Sequence, residues 1–370
     1  MTPNLAGMDL PVMPPLLPML AKASPELPEA EVGAYWFEPK WDGFRCIVFR
    51  DGDEIELGSR NDKPLTRYFP ELLEPLKASL PDKCVVDGEV VVAGPDGLDF
   101  DALQQRIHPA KSRVDMLAEK TPAAFVAFDL LAVGDESLLE APLSSRRAQL
   151  EAALADPAPT IHLTPGTFDR ALAEDWFSRF EGAGLDGVMA KPAEGTYQPN
   201  KRAALKVKHL RTADCVVAGF REHKNGDGPG SLMLGLYDEE GNLHNLGVAS
   251  SFSVARRAEL REELAPYVTD DWSTHPWGRW AEAEAHESGE ARLPGGQSRW
   301  NAKKDLTFTP LRPELVAEVA YERVDNGRFR HSARFRNWRP DRTPESCTFE
   351  QLEVVPAFEL QTVFQTDGSA

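Results

Sequence analysis

The spacing of apolar residues divides the chain into two differently built parts. Residues 1–30 are rich in proline with little periodicity and read as an extended lead-in that packs on the domain after it. Phe44–Arg50 and Glu54–Gly58 are β-prone and flank Asp51-Gly52-Asp53, a hairpin turn sequence. A turn centred near residue 52 pairs residue 44 close to residue 60, which folds Arg60 back beside the loop at Lys40. Leu72, Leu73, Leu76 and Leu80 recur at helical spacing within Phe69–Leu80. Cys84–Asp87 and Val90–Val92 predict two strands around Asp87-Gly88-Glu89, with Glu89 at a strand edge. Asp101–Ala118 predicts one helix, Phe125–Val133 a buried strand, and Leu143–Leu154 and Arg170–Glu181 two further helices. Gly187–Lys191 and Leu205–His209 are short strands.

From Asp214 the strands shorten and Gly, Asn and Asp turns separate them. Cys215–Phe220, Ser231–Tyr237 and Leu243–Val248 are followed by a helix, Val254–Leu264, and by strands at Leu315–Tyr321 and Ala333–Trp338. Trp272–Ser298 reads as loop. About five strands and one helix are the content of a small OB-type barrel. The pattern therefore predicts an α+β domain over residues 1–210 and an OB-fold domain over 211–370, with a linker near 209–213.

Composition narrows the class. Of 370 residues, 42% are hydrophobic and 27% charged, which excludes a disordered chain, a collagen-like repeat and a coiled-coil rod. The length fits two or three domains. The longest apolar runs are about half a membrane span, and the N-terminus has no basic segment followed by an apolar core. Cys46, Cys84, Cys215 and Cys347 are too widely spaced for a close-spaced zinc motif, so reduced thiols in a cytoplasmic protein are expected. A net charge of −18 argues against nucleic-acid binding until its distribution is considered. Residues 1–200 hold 18 basic and 33 acidic groups, residues 201–350 hold 23 of each, and Arg323–Arg342 holds seven arginines. A local basic patch in an acidic protein can hold a polyanion while the bulk charge limits non-specific binding.

The sharpest local feature is Lys40-Trp41-Asp42-Gly43-Phe44-Arg45, a K-x-D-G-x-R pattern. A lysine amine, neutral and held in line with a pyrophosphate leaving group, can attack the α-phosphorus of a nucleotide. Arg45 offers forked donors to phosphate or ribose. Further along stand Asp87-Gly88-Glu89, Phe128-Asp129, the acid and lysine of Asp186–Lys191, and Lys206-Val207-Lys208, whose lysines share one strand face. Together they supply a nucleophile, carboxylates for a divalent metal, an aromatic platform and phosphate-clamping cations. Taken singly, each has a plainer reading: a charged surface turn, a core phenylalanine, an exposed strand edge. Trp272, Trp277, Trp280 and Trp300 read as gap-fillers under the long loop rather than as base-stacking platforms. No Walker A or G-x-G-x-x-G sequence is present.

In this order and spacing the set resembles the covalent nucleotidyltransferases: ATP-dependent DNA ligases, RNA ligases and mRNA capping enzymes. Ser59-Arg60-Asn61, Phe69-Pro70-Glu71-Leu72, Phe128-Asp129-Leu130-Leu131 and Arg339-Pro340-Asp341-Arg342 resemble ligase segments. The closest resemblance is to the short two-domain C-type bacterial ATP-dependent DNA ligases. It implies an ATP-grasp-like adenylation domain before the OB barrel, and adenylation of Lys40 by ATP. Glu38 would recognise the adenine amino group and Phe128 would stack on the base. Arg45, Arg60 and Glu89 would contact the ribose or phosphates, Glu89 and Asp186 would bind Mg²⁺ or Mn²⁺, and Lys206 and Lys208 would hold the α-phosphate. Arg339 and Arg342 would orient the pyrophosphate. The substrate implied is nicked double-stranded DNA, in DNA repair, and the protein a monomer. Asp186 stands where most relatives have glutamate, a feature that fits the C-type subgroup, and Arg342 stands where they have lysine. The same chemistry leaves an RNA ligase or capping-type enzyme open, as well as an inactive nucleic-acid-binding relative.

Overall fold

Two units divide the chain in the computed structural model: residues 1–208 with 355–370, and residues 209–354. The structure describes residues 7–61, 63–278, 307–325 and 327–366. Trp280 and Trp300 lie outside the described residues.

The first unit contains β1 (Leu20–Ser24), β2 (Tyr35–Pro39), β3 (Phe44–Asp51), β4 (Glu54–Ser59), β5 (Lys83–Gly94) and β6 (Gly97–Leu98). It continues with β7 (Ala123–Val133), β8 (Glu136–Ser137), β9 (Ile161–Leu163), β10 (Val188–Pro192) and β11 (Arg202–Val207). Its helices are α1 (Leu73–Ser79), α2 (Phe100–Gln105), α3 (Lys111–Lys120), α4 (Leu143–Ala153) and α5 (Arg170–Arg179). One sheet has the order β1-β11-β10-β2. The other runs β4-β3-β5-β7-β8, with β6 on β5 and β9 on β7.

Strand alternation sorts the side chains into layers. Cys46, Val48, Val86, Val90, Phe125 and Ala127 point from the larger sheet into a core shared with Leu72, Leu76, Leu103 and Leu150 of the helical side. The opposite face presents Ile47, Phe49, Val85 and Leu131, which pack with Met19, Met189 and Ala204 of the lead-in and the smaller sheet. The far face of that smaller sheet, with Phe37, Val188, Ala190 and Val207, covers Ala173 and Phe177 of α5. The lead-in is structural as expected, since β1 pairs in parallel with β11 and Leu10 and Val12 are buried.

Three local expectations change. The helix predicted over 101–118 is two helices, α2 and α3. Pro109 lacks the N–H a continuous helix requires and disfavours helical backbone before it. The break seats Arg106, fully buried, on Glu71 and on the Tyr68 carbonyl. Asp87-Gly88-Glu89 does not separate two strands: β5 is continuous and Glu89 lies within it rather than at an edge. Gly88 serves close approach, because a Cβ there would sit 2.3 Å from the Phe125 ring of β7. The hairpin register runs from Asp51↔Glu54 to Cys46↔Ser59, one residue off the expected pairing, so Arg45 is the next position opposite Arg60.

The second unit holds β12 (Arg211–Glu222), β13 (Pro229–Tyr237), β14 (Leu243–Ser250), α6 (Val254–Leu264), β15 (Thr309–Tyr321), β16 (Val324–Asp325), β17 (Arg328–Phe329) and β18 (Arg334–Trp338). Five strands form the order β14-β13-β12-β15-β18. A bridge between Ala249 and Ala333 joins the two ends, which closes the sheet into the predicted OB barrel. Trp277 is fully buried in its core and its indole N–H donates to the Leu243 carbonyl, a gap-filling role. The second unit does not extend to residue 370: the segment from Val355, with α7 (Leu360–Gln365), belongs to the first unit. Among the described residues no helix is long and apolar enough to cross a membrane.

Candidate active site

The alternation that buries the core also assembles a polar cavity between the two sheets of the first unit. Tyr35 and Phe37 of β2 face α5, so Glu38 faces the other way, and Lys40 follows at the same parity. On β10, Val188 and Ala190 go to the α5 side and Met189 and Lys191 to the cavity. On β11, Val207 goes to the α5 side and Lys206 to the cavity. The larger sheet contributes Arg45, Glu89 and Phe128, and Arg60 reaches the same space from the end of β4. The cavity measures about 240 Å³, and Pro18 to Ala21 of the lead-in line it as well.

Lys40 is held by backbone and side chain together. Its N–H donates to the Gly187 carbonyl at 2.8 Å, and its own carbonyl accepts from the Asp186 N–H at 2.9 Å. Its Nζ donates to Asp186 Oδ2 at 2.8 Å, and Lys208 Nζ stands 3.2 Å from the same oxygen. Burial works against ionisation of Asp186, but Lys40 and Lys208 outweigh it and hold the carboxyl well below the ordinary range. Gly187 is required here, since its φ is +131° and a Cβ would lie 2.1 Å from the Val207 carbonyl oxygen.

Arg45 forms a two-pronged ion pair with Asp87, at 2.6 and 2.5 Å. Asp87 is fully buried and also accepts from the Tyr197 hydroxyl at 2.6 Å; the Met19 N–H donates to that hydroxyl at 3.0 Å. Glu89 lies directly across from Arg45 in the β3–β5 ladder but enters no salt bridge or hydrogen bond among the described residues. Burial pushes its carboxyl up to about 7, against the pull of Arg45 and Lys40.

Phe128 is buried with the Arg45 guanidinium 4.4 Å and the Lys191 Nζ 4.8 Å from its ring centroid. Lys191 also pairs with Glu38 at 2.6 Å, and the Trp36 indole N–H donates to the other Glu38 oxygen at 2.9 Å. Asp129 points the opposite way and forms a buried ion pair with Arg146 of α4, so the acid beside Phe128 is structural.

Arg339 and Arg342 belong to the second unit. Arg339 donates to both Asp214 oxygens at 3.0 Å and pairs with Asp341 at 2.7 Å; Arg342 stands 3.5 Å from Asp214. The arginine-rich stretch is partly neutralised in the same way, with Arg323 and Arg330 on Asp325, while Arg334 and Arg336 are exposed.

Residues 18–208 match the ATP dependent DNA ligase domain, and residues 225–342 match the ATP dependent DNA ligase C terminal region. The chain belongs to the ATP-dependent DNA ligases. This ligase is 58% identical over 353 residues to DNA ligase C of Mycobacterium tuberculosis, covering 94% of this chain and 96% of the relative. It is 57% identical over 350 residues to DNA ligase C2 of Mycolicibacterium smegmatis, covering 94% and 97%. A solved structure from work on Lig E DNA ligases shares the fold, with a TM-score of 0.53 and 18% identity over 88% of the ligase and 100% of that chain.

Of the predicted site residues, Glu38, Lys40, Arg45, Arg60, Glu89, Phe128 and Lys206 line one cavity of the ligase, and Asp186 and Lys208 join it through Lys40. Sequence reasoning missed the roles of Asp87, Tyr197 and Lys191, which hold Arg45 and Glu38 from behind. Strand parity could have placed Asp87 and Lys191 on the cavity side. Nothing local marks Tyr197.

Proposed function

We propose that the protein seals nicks in duplex DNA, with Lys40 as the residue that becomes adenylated. The observation that carries this reading is the Lys40 amine, held 2.8 Å from Asp186 in a cavity that also offers Phe128, Glu38, Arg45 and Lys206. Phe128 offers a face for a base. Glu38 has accepted two contacts and keeps lone pairs for an exocyclic amine. Lys206 and Arg45 supply positive charge for phosphate oxygens. The neutral Lys40 amine attacks the α-phosphorus of ATP; a P–N bond forms and the bond to pyrophosphate breaks, the electron pair leaving with pyrophosphate. Asp186, held so far below the ordinary carboxylate range, is a poor proton acceptor, so it aims the amine while the proton passes to solvent.

The donor set fits a divalent metal. Among the described residues no three metal-ligating side chains cluster, but Glu89 is a half-buried, unpaired carboxylate whose raised pKa a cation would relieve. Glu89 would hold a Mg²⁺ or Mn²⁺ ion, and the chemistry supplied there would be neutralisation of phosphate charge. Asp186, paired with Lys40 and Lys208 in the free enzyme, would be the second residue to hold it. Arg339 and Arg342 orient the pyrophosphate in the first step. AMP then passes from Lys40 to the 5′-phosphate at a nick, and the 3′-hydroxyl attacks that phosphate and expels AMP. The protein acts as a monomer in the cytoplasm.

The test is a duplex with one 5′-phosphorylated nick, incubated with ATP and Mg²⁺ or Mn²⁺. Sealing with release of AMP is expected. Sealing of RNA but not DNA, or protein labelling from GTP alone, would overturn the reading.

A further inference from the structure

Residues 355–366 follow the barrel in the chain but complete the core of the nucleotidyltransferase unit. Leu360 and Val363 of α7 are buried in one cluster with Trp41, Val126, Trp176 and Leu185. Phe364 stacks on Trp41, with centroids 5.3 Å apart and planes 10° from parallel, and on His162 at 3.8 Å and 12°. The seat is built into the backbone as well. A Cβ on Gly182 would come within 2.1 Å of the Pro356 carbonyl oxygen, and Phe358 packs on Phe180 beneath the Arg179 guanidinium.

Trp41 is the immediate neighbour of Lys40. One peptide joins the two residues, both border the cavity, and the Lys40 N–H and carbonyl are pinned to Gly187 and Asp186, so the seat of the indole fixes the backbone from which the Lys40 side chain departs. Trp41 is buried and its indole N–H donates to Thr164 Oγ1 at 2.9 Å. Thr164 fixes one edge of the indole, and Phe364 supplies the stacking partner that keeps the ring from swinging.

We propose that the C-terminal segment is a positioning element for nucleotidyl transfer, with Phe364 aiming the Lys40 amine by holding Trp41. This rests on the reading of Lys40 as the nucleophile. The chain leaves this unit after Lys208 and re-enters it at Val355. The barrel is therefore an insertion joined at two places, and the segment that follows it packs behind the residue next to Lys40.

The experiment is single-turnover formation of lysyl-AMP on the full chain, read by intact mass across a range of ATP concentrations, with Lys40→Ala as control. Phe364→Ala is expected to slow the step at saturating ATP by about tenfold or more, the size a small misplacement of a reacting group produces, while the apparent KM for ATP moves less than about threefold. Phe364→Tyr, which keeps the stacked ring, restores the rate to within about twofold. Gly182→Ala, remote from Lys40, slows it by pushing Pro356 off its seat. If Phe364→Ala does not fold, Phe364→Leu keeps the bulk without the stacked ring and takes its place in the comparison. Wild-type rate in a variant shown by near-ultraviolet circular dichroism to be folded overturns the positioning role alone. Absence of AMP on Lys40 of the wild-type chain overturns the nucleophile reading itself.

Discussion

Asp186 grips Lys40 twice: its backbone N–H donates to the Lys40 carbonyl at 2.9 Å, and its carboxylate accepts from the Lys40 Nζ at 2.8 Å. The main-chain pair fixes where the two residues meet, and the side-chain pair fixes where the amine points. The shorter acid is matched to this register, because aspartate already reaches the amine directly. Asp186→Asn is expected to keep the backbone pair and lose the charge, leaving Lys40 and Lys208 to repel each other. Lysyl-AMP formation falls by about a hundredfold, the scale for loss of one preorganised electrostatic partner, measured by intact mass against time. Asp186→Glu is expected to be slower than wild type, since the extra methylene displaces the amine.

Glu89 carries a cost that the free enzyme bears. Its carboxyl is raised to about 7 from an ordinary 4.5. Between those values the folded state keeps a proton that the unfolded state has released, so stability falls as pH rises through the window. Glu89→Gln is expected to melt at a higher temperature than wild type at about pH 8, and the two to converge near about pH 4, where Glu89 is protonated in the folded and the unfolded chain alike. Nick sealing by the variant drops, because the position no longer offers a charge to a cation. Thermal melts at both pH values check the first part; an equal difference at both would contradict it.

Tyr197 is a joint rather than a surface ring. Its hydroxyl donates to Asp87 and accepts from the Met19 N–H. Tyr197→Phe leaves a buried carboxylate oxygen and a backbone donor each one partner short, a destabilisation of about 1–3 kcal/mol. Urea denaturation measures it. The same change loosens Arg45, whose position over Phe128 depends on Asp87, so sealing is expected to weaken along with stability.

Much of this site was legible because strand alternation is a sequence property. Once Phe37, Val188, Ala190 and Val207 are assigned to one face, Glu38, Lys40, Met189, Lys191 and Lys206 must share the other. Partnerships across long separations were not legible. Asp87 and Tyr197 are 110 residues apart, and no local pattern marks that hydroxyl as the third member of the Arg45–Asp87 pair. Asp87-Gly88-Glu89 reads as a break between two strands because glycine weakens a strand interior, whereas the use of Gly88 is to admit the Phe125 ring. Leu360, Val363 and Phe364 have helical spacing, but six residues of helix say nothing about which core they enter, so assignment to the nearer domain failed. The break at Arg106–Ala110 is legible, since Pro109 signals it.

Charge sets the mode of DNA binding. A net of −18 opposes non-specific contact with phosphates, and several arginines of the basic stretch are already paired with Asp214 and Asp325. Binding to intact duplex is expected to be weak and to fall by about tenfold or more between about 50 and 200 mM salt, with a nick preferred through its 5′-phosphate. Fluorescence anisotropy with intact and nicked duplexes checks both; tight binding that is flat with salt would contradict them.

The most direct measurement is the mass of the protein and of its Lys40 peptide after incubation with ATP and Mg²⁺ or Mn²⁺. A single AMP adduct is expected, located on Lys40, absent from Lys40→Ala and discharged by nicked DNA. No adduct, or one located on another residue, would contradict the account.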